Sequence, residues 1–247
     1  MLSIDTNAKT IKGQRYGYLT GVLYLAPYKL SGYNTCAMAE IAQCHVGCLN
    51  SAGRGAFNSV QQARIRKTKL FFEDRDKFFA ELIPSIRSLI RKAANAGELR
   101  DDGWHARPLI PLCRLNGTSD IKWENVSFVY EGVRYSNIFE MFPDLQFYDY
   151  TKIPNRRVDH IPNYDLTFSY SGVVEFQPYV RRAIDQGYRI AVVFRDRNSI
   201  PAEFLGTTCV DGDDSDLRHE DPHGVVVALY AKGKAKRDSS GFVVDVV

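Results

Sequence analysis

An α/β fold, built as a single (β/α) barrel that is closed or incomplete, is what this chain of 247 residues predicts. Three observations point there. Seven short apolar runs recur along the chain, and segments with helical periodicity lie between several of them. The runs are nearly continuous in apolar or β-forming residues rather than alternating, as in parallel strands buried on both faces. Strands alternating with helices imply a parallel sheet with helices outside it, and seven strand candidates favour a barrel over a flat doubly wound sheet. Barrels of this kind reach the present length as one domain.

Taken in order, residues 1–20 read as an N-terminal arm of that single domain, 1–247. The strand candidates are 21–26, 109–115, 145–149, 165–169, 189–194, 207–211 and 224–230. Residues 57–83 carry the longest helical pattern, with Val60, Ile65, Leu70, Phe71, Phe78, Phe79 and Leu82 roughly at helical spacing. Pro84 interrupts it, and Ser85 caps a second helix that Gly97 closes. Residues 126–134 read as a small hairpin turning at Glu131-Gly132, and 135–142 as a helix. Residues 173–186 form another, ended by Gly187, and Asn198 or Ser199 opens a last one with Pro201 in its first turn. Residues 232–247 are a tail that begins basic.

Composition narrows the function classes. With 45% hydrophobic and 25% charged residues the chain reads as a soluble globular protein. Its 32 basic and 29 acidic residues leave a net charge of +3, so any nucleic-acid argument has to come from local clusters. The start lacks a basic head followed by an apolar stretch, and the longest apolar runs fall far short of the roughly 20 residues that span a bilayer. A cytoplasmic protein without a membrane partner is the expectation. Five cysteines, an odd count without secretory context, argue against a disulfide framework.

Connection handedness places the loops that follow the strands on one face, and their inventory is polar. Asp120, Asp149 and Asp211 each lie at or just beyond a strand end and are the candidate catalytic carboxylates. Asp213, Asp214 and Asp216 read instead as solvated or capping residues. Arg54, Arg114, Asn116, Lys152, Arg218 and Lys232 are the candidate substrate and phosphate ligands. Arg54 lies in Gly53-Arg54-Gly55 ahead of a helix, where backbone N–H groups can approach an anion or the glycines can simply make a tight turn. The stretches 64–69 and 232–237 are basic, either as phosphate tracks or as solvated faces.

Cys36, Cys44 and Cys48 lie within thirteen residues, spaced x7 and x3. Three thiolates on one loop could hold zinc or an iron–sulfur cluster and leave a fourth position open, with His45, Cys113 or Cys209 available to fill it. Small buried hydrophobes are the plainer alternative.

The string over residues 19–55 (Leu-Thr-Gly-Val-Leu-Tyr-Leu-Ala-Pro, Leu-Ser-Gly-Tyr-x-x-Cys, Gly-Cys-Leu-x-x-Ala-Gly-Arg-Gly) resembles the phage gene product 88 family. So do Arg114-Leu-Asn-Gly-Thr-Ser-Asp120, Phe147-Tyr-Asp-Tyr-Thr-Lys152, and Val210-Asp-Gly-Asp213 with Lys232-Gly-Lys-Ala-Lys236. The resemblance spans nearly the whole chain. It implies a bacteriophage or prophage origin, and so the cytoplasm of an infected bacterium, without supplying an activity. Two barrel families share part of the logic. Radical S-adenosylmethionine enzymes also carry three cluster-binding cysteines after the first strand, at x3, x2 spacing, which implies an iron–sulfur cluster and S-adenosylmethionine. Guanine transglycosylases carry an Asp in a Ser-Gly-rich loop that Asn116-Gly-Thr-Ser-Asp120 loosely resembles.

The leading expectation is a phage nucleic-acid-modifying transferase of the base-exchange type, with a Cys-bound metal supporting its mouth. Asp120 or Asp211 attacks the sugar carbon as guanine leaves, and Asp149 manages the proton. The partners are DNA, single-stranded or with a flipped nucleotide, and a small-molecule base. The alternatives are a radical enzyme with Cys36, Cys44 and Cys48 on a cluster, and a non-enzymatic DNA-binding replication or host-takeover factor.

Overall fold

The computed structural model describes residues 1–4, 8–51 and 53–246. In chain order the strands are β1 (Ser3–Ile4), β2 (Tyr18–Val22), β3 (Gly97–Arg100), β4 (Gly103–Ala106), β5 (Ile110–Arg114), β6 (Phe128–Tyr130) and β7 (Val133–Tyr135). They continue with β8 (Gln146–Thr151), β9 (Tyr164–Ser169), β10 (Ile190–Phe194), β11 (Glu203–Phe204), β12 (Thr207–Asp211) and β13 (Val226–Tyr230). The α-helices are α1 (Ala8–Gly13), α2 (Asn58–Glu73), α3 (Arg75–Ala94), α4 (Ile138–Met141) and α5 (Gln177–Asp185).

Nine strands form one sheet in the order β1-β2-β5-β8-β9-β10-β13-β12-β11. The seven from β2 to β12 pair in parallel. Six of them fall on the apolar runs of the sequence; β2 begins three residues ahead of the run 21–26, inside the segment expected to be an arm. The edge strands β1 and β11 are antiparallel to their neighbours. The fold is therefore α/β with a large, mostly parallel mixed sheet. Its pairing order ends at β1 and β11, and among the described residues no hydrogen-bonded pairing joins those ends. β13 lies between β10 and β12, so the last two parallel strands are exchanged relative to chain order.

The register sorts the side chains into two layers. Cys113, Phe147, Leu166 and Phe168 share one face. It packs under α3 and α5 in two apolar clusters, one with Phe71, Phe78, Phe79 and Trp123, the other with Phe176, Val180 and Ala183. Thr20, Arg114, Tyr148, Tyr150 and Thr167 share the other face. The connection from β12 to β13, residues 212–225 with the 3-10 turn Arg218–Glu220, crosses that side: Leu217 packs on Leu112 and Tyr148, and Arg114 pairs with Asp216. A parallel crossover usually travels outside the sheet over a helix; this one fills the opposite face.

Local departures have local causes. The long helical pattern breaks at Asp74, whose side chain accepts the Lys77 N–H at 3.0 Å and caps α3. Pro84 lies inside α3, where fully buried Leu82, Ile83, Ile86 and Leu89 outweigh its lost hydrogen bond. Ser85, read as a cap, accepts the Leu2 N–H at 2.9 Å and pins the N-terminal edge strand. The expected helix after Asn198 is a short 3-10 turn, Arg197–Ser199, followed by β11. The hairpin β6–β7 turns at Glu131-Gly132 as expected, both residues with positive φ.

Candidate active site at the carboxyl rim of the sheet

The loops after β2, β5, β8, β9, β12 and β13 meet at one rim. The longest, residues 23–57, reaches from the β2 end to the far strands. Its Ala42 packs with Phe168 and Tyr170, and the Ser171 hydroxyl donates to the Ala42 carbonyl at 2.8 Å. Further on, the turn Leu49–Ser51 touches Gly233–Arg237 beyond β13. Residues far apart in the chain are thereby set side by side.

Cys36, Cys44 and Cys48 sit on this loop, each half-buried. Burial pushes the Cys36 thiol up to about 12, with Asp120 and Cys44 adding to the effect. Burial also raises Cys44 and Cys48, and Cys44 acts on both other thiols, so the three share one electrostatic neighbourhood. Lys152 belongs to it as well. Its Nζ donates to the Ser169 carbonyl and hydroxyl at 3.0 and 3.1 Å and to the Tyr170 carbonyl at 3.0 Å. Burial lowers its pKa, and nearby Cys44, Asp120 and Cys36 oppose that. Among the described residues no three or more His, Cys, Asp or Glu side chains stand where one metal ion could be held. As placed, the thiols give no ligand set for the zinc or iron–sulfur cluster that their spacing suggested. Of the fourth-ligand candidates, His45 Nδ1 lies 2.9 Å from the Ala39 carbonyl and Cys113 is buried under α3. Cys209 packs at the second apolar cluster.

Asp120 and Asp149 are joined through Arg156 on the helix side of the sheet. Asp120 accepts the Thr151 hydroxyl and the Lys152 N–H, both at 2.8 Å, and Arg156 Nη1 at 3.3 Å. Arg156 also grips Glu124 with two nitrogens and donates to Tyr164, whose hydroxyl donates to Asp149 at 3.3 Å. Asp149 accepts the N–H groups of Leu115 and Asn116 at 3.3 and 2.8 Å. Burial raises Asp120 and pushes Asp149 up to about 7, against the pull of Arg156 on Asp120 and of Arg114 on Asp149. Asn116 closes the turn after β5, its Oδ1 accepting from Ser119, Ile121 and Trp123. These three sequence-predicted residues thus brace the loops after β5 and β8.

The opposite face holds residues that reasoning from sequence passed over. Asp213 and Asp216, expected to be solvated or capping, are both buried. Asp216 pairs with Arg114, whose guanidinium lies over Tyr148 and Tyr150 at 5.5 and 5.2 Å. Asp213 pairs with Lys232 and accepts the Tyr230 N–H at 2.9 Å. Arg218 is fully buried, faces Asp221 at 3.1 Å and donates Nη2 to the Ser215 carbonyl at 2.7 Å. The signal that could have found them is Leu217-Arg218, an apolar residue and a cation side by side in an otherwise acidic loop.

Asp211 lies at the open edge of the rim, half-exposed, with Arg197 Nη2 at 3.0 Å. Beside it the Tyr230 ring is flanked by Arg197 at 5.9 Å and by Lys232 at 4.5 Å. Arg54, Lys234, Lys236 and Arg237 are exposed on the adjoining turns. Gly55 makes the tight turn there, since a Cβ would stand 2.4 Å from the Asn50 carbonyl oxygen. The helical run 64–69 divides: Arg64 is buried over Tyr24 and holds Asn50, while Arg66 and Lys69 face solvent.

Among the described residues no helix is long and apolar enough to cross a membrane. No curated protein and no solved structure matches the chain. A family model described as gene product 88 matches residues 1–246, and the chain belongs to the gene product 88 family.

Proposed function

We propose that this protein modifies nucleic acid by base exchange at the carboxyl rim, acting on a single-stranded or flipped nucleotide. The observation that carries the reading is the rim cluster: a half-exposed carboxylate, Asp211, beside an aromatic ring bracketed by two cations, with exposed basic residues from two distant segments next to it. A base can stack on Tyr230, and phosphates can meet Arg54, Lys232, Lys234 and Lys236. Asp211 is the nucleophile in this reading. One of its oxygens bonds to the sugar C1′ as the C1′–N bond to guanine breaks, and the electron pair leaves with the base, which takes a proton from solvent water at the open rim. The ring nitrogen of the incoming base then displaces the carboxylate and gives up its own proton. Asp120 and Asp149, fully engaged in hydrogen bonds, position the loops rather than touch substrate.

The same reading takes the sheet to be an incomplete barrel. In a flat sheet β2 and β12, six spacings apart, would be separated by about 29 Å. Yet Lys12, ahead of β2, donates to the Asp213 carbonyl beyond β12 at 3.5 Å, and the Tyr16 hydroxyl donates to Asp214 at 2.7 Å. In this reading the sheet curls and draws the two ends of the parallel set toward each other, so that the rim loops partly encircle the site.

The test is nucleoside mass spectrometry of single-stranded DNA and RNA incubated with the protein and a guanine or deazaguanine base. Exchange is expected with the natural chain and not with Asp211→Asn, which should still bind the strand. Binding by the natural chain without exchange of any base would replace this reading with that of a DNA-binding factor.

A further inference from the structure

We infer a second ligand site, for a nucleobase that carries a phosphate, in the cleft at the amino-terminal ends of β2 and β5. It lies at the opposite end of the strands from the rim and stands independently of the base-exchange reading.

The cleft has a volume of about 440 Å³, a size that takes a single nucleotide. Its floor is apolar, from Leu19, Leu109 and Ala96. Its wall is the indole of Trp104 on β4, which is 65% exposed. The other tryptophan, Trp123, is completely buried, stacked with Phe78 and donating to Asn116. Leaving an indole open forgoes a large apolar gain. The backbone holds it there: Gly97, paired across the hairpin beside it, lies so close under the ring that a Cβ would stand 2.3 Å from it. One face of Trp104 is thus seated on glycine and the indole remains largely open.

The remaining lining supplies what a nucleotide needs. Asn95, exposed at the end of α3, also lines the cleft and has a side-chain amide that can donate to and accept from a base edge. Lys92 and Arg107, both exposed, add two cations. Arg107 Nη1 stands 3.7 Å from Glu98, which also lines the cleft, so a phosphate would have to share the guanidinium fork with that carboxylate. Stacking surface, base-edge amide and phosphate cations therefore face one space.

Trp104 reports on its own occupancy, because its emission is that of an exposed indole and Trp123 contributes a buried one. Titration of the full chain with a free nucleoside monophosphate, and separately with a short single-stranded oligonucleotide, should quench the red-shifted component with saturation. Lys92→Ala/Arg107→Ala keeps the indole and should weaken that titration about tenfold or more. Trp104→Leu should weaken binding of a labelled oligonucleotide or nucleotide by a similar factor. Quenching by the monophosphate assigns the site to free nucleotides; quenching by the oligonucleotide alone assigns it to a strand. Arg54→Ala/Lys234→Ala/Lys236→Ala, at the other end, should leave the quenching intact. No saturable quenching by either probe, or quenching that Lys92→Ala/Arg107→Ala leaves unchanged, overturns the proposal.

Discussion

Two buried ionic networks lie on opposite sides of the same sheet, and they are built differently. On the helix side Arg156 spends its donors on Asp120, Glu124 and Tyr164, and the chain of bonds ends on Asp149 and two backbone N–H groups. On the other side Arg114, Arg189 and Arg218 pair with Asp216, Asp165 and Asp221. There, buried Arg218 Nη1, Arg114 Nε, Arg189 Nε and Thr167 Oγ1 have no hydrogen-bond partner among the described residues. Burial costs both networks solvation, and only full pairing repays it. The saturated network is a brace. The unsaturated one is a surface with hydrogen-bonding capacity to spare, under the connection that the rim loops overhang.

The sharpest way to break this contrast is to cut the brace. Arg156→Met leaves Glu124 buried without its cation and Asp120 with only Lys152 nearby, and should cost about 4 kcal/mol, read as a shift in the urea midpoint. Next comes proton linkage. Asp149 has its folded pKa near 7, above the value of about 3.9 for an unfolded Asp, so between those limits the folded state holds more protons. Stability should therefore fall as pH rises from about 4 to about 7, by up to about 4 kcal/mol, and flatten above. Asp149→Asn should remove most of that slope in denaturation curves taken across the range. Asp120, also raised by burial, contributes with the same sign.

On the inner side a double-mutant cycle separates pairing from packing. Arg114→Met strands buried Asp216 and should cost about 3 kcal/mol, and Asp216→Leu should cost a similar amount by stranding Arg114. The combined variant should recover to within about 1 kcal/mol of the natural chain, because each change removes the charge that the other leaves unpaired. A brace as saturated as that of Arg156, with its backbone N–H partners, would not recover in this way.

How much of this was legible in the sequence follows from what pattern encodes. Six of the seven parallel strands were visible in place, because strands buried in the sheet are nearly continuous in apolar residues, while β2 was read three residues late because Tyr18, Leu19 and Thr20 looked like the end of an arm. The exchange of β12 and β13 was not, since residues 212–225 are short, acidic and glycine-bearing and look like any exposed loop. Only their path across the inner face turns Asp213 and Asp216 into buried ion pairs. Asp120 and Asp149 were noticed for standing at strand ends, but their partners Arg156 and Tyr164 come from elsewhere in the chain, and spacing alone cannot show that their lone pairs are filled. The three thiols lie on the loop after β2, with Cys44 within electrostatic reach of the other two and of Lys152; spacing could not supply their ligand geometry.

The smallest effect on stability belongs to the rim. Lys234, Lys236 and Arg237 are exposed, so replacing all three with Ala should move the urea midpoint by an amount worth less than about 0.5 kcal/mol per site. Binding should respond quite differently. Each cation that meets a phosphate releases about one counterion, so the slope of log affinity against log salt for single-stranded DNA should drop by up to about 2 in the triple variant. Arg66 and Lys69 on α2 serve as the control, compared per cation removed: they are also exposed, but lie on the segment whose buried Arg64 is committed to Asn50. If their removal lowers the slope as much as that of the rim cations, strand binding follows charge wherever it is exposed, and the rim has no special claim. If only the rim variant responds, the contact between the turns Leu49–Ser51 and Gly233–Arg237 is what assembles the phosphate surface.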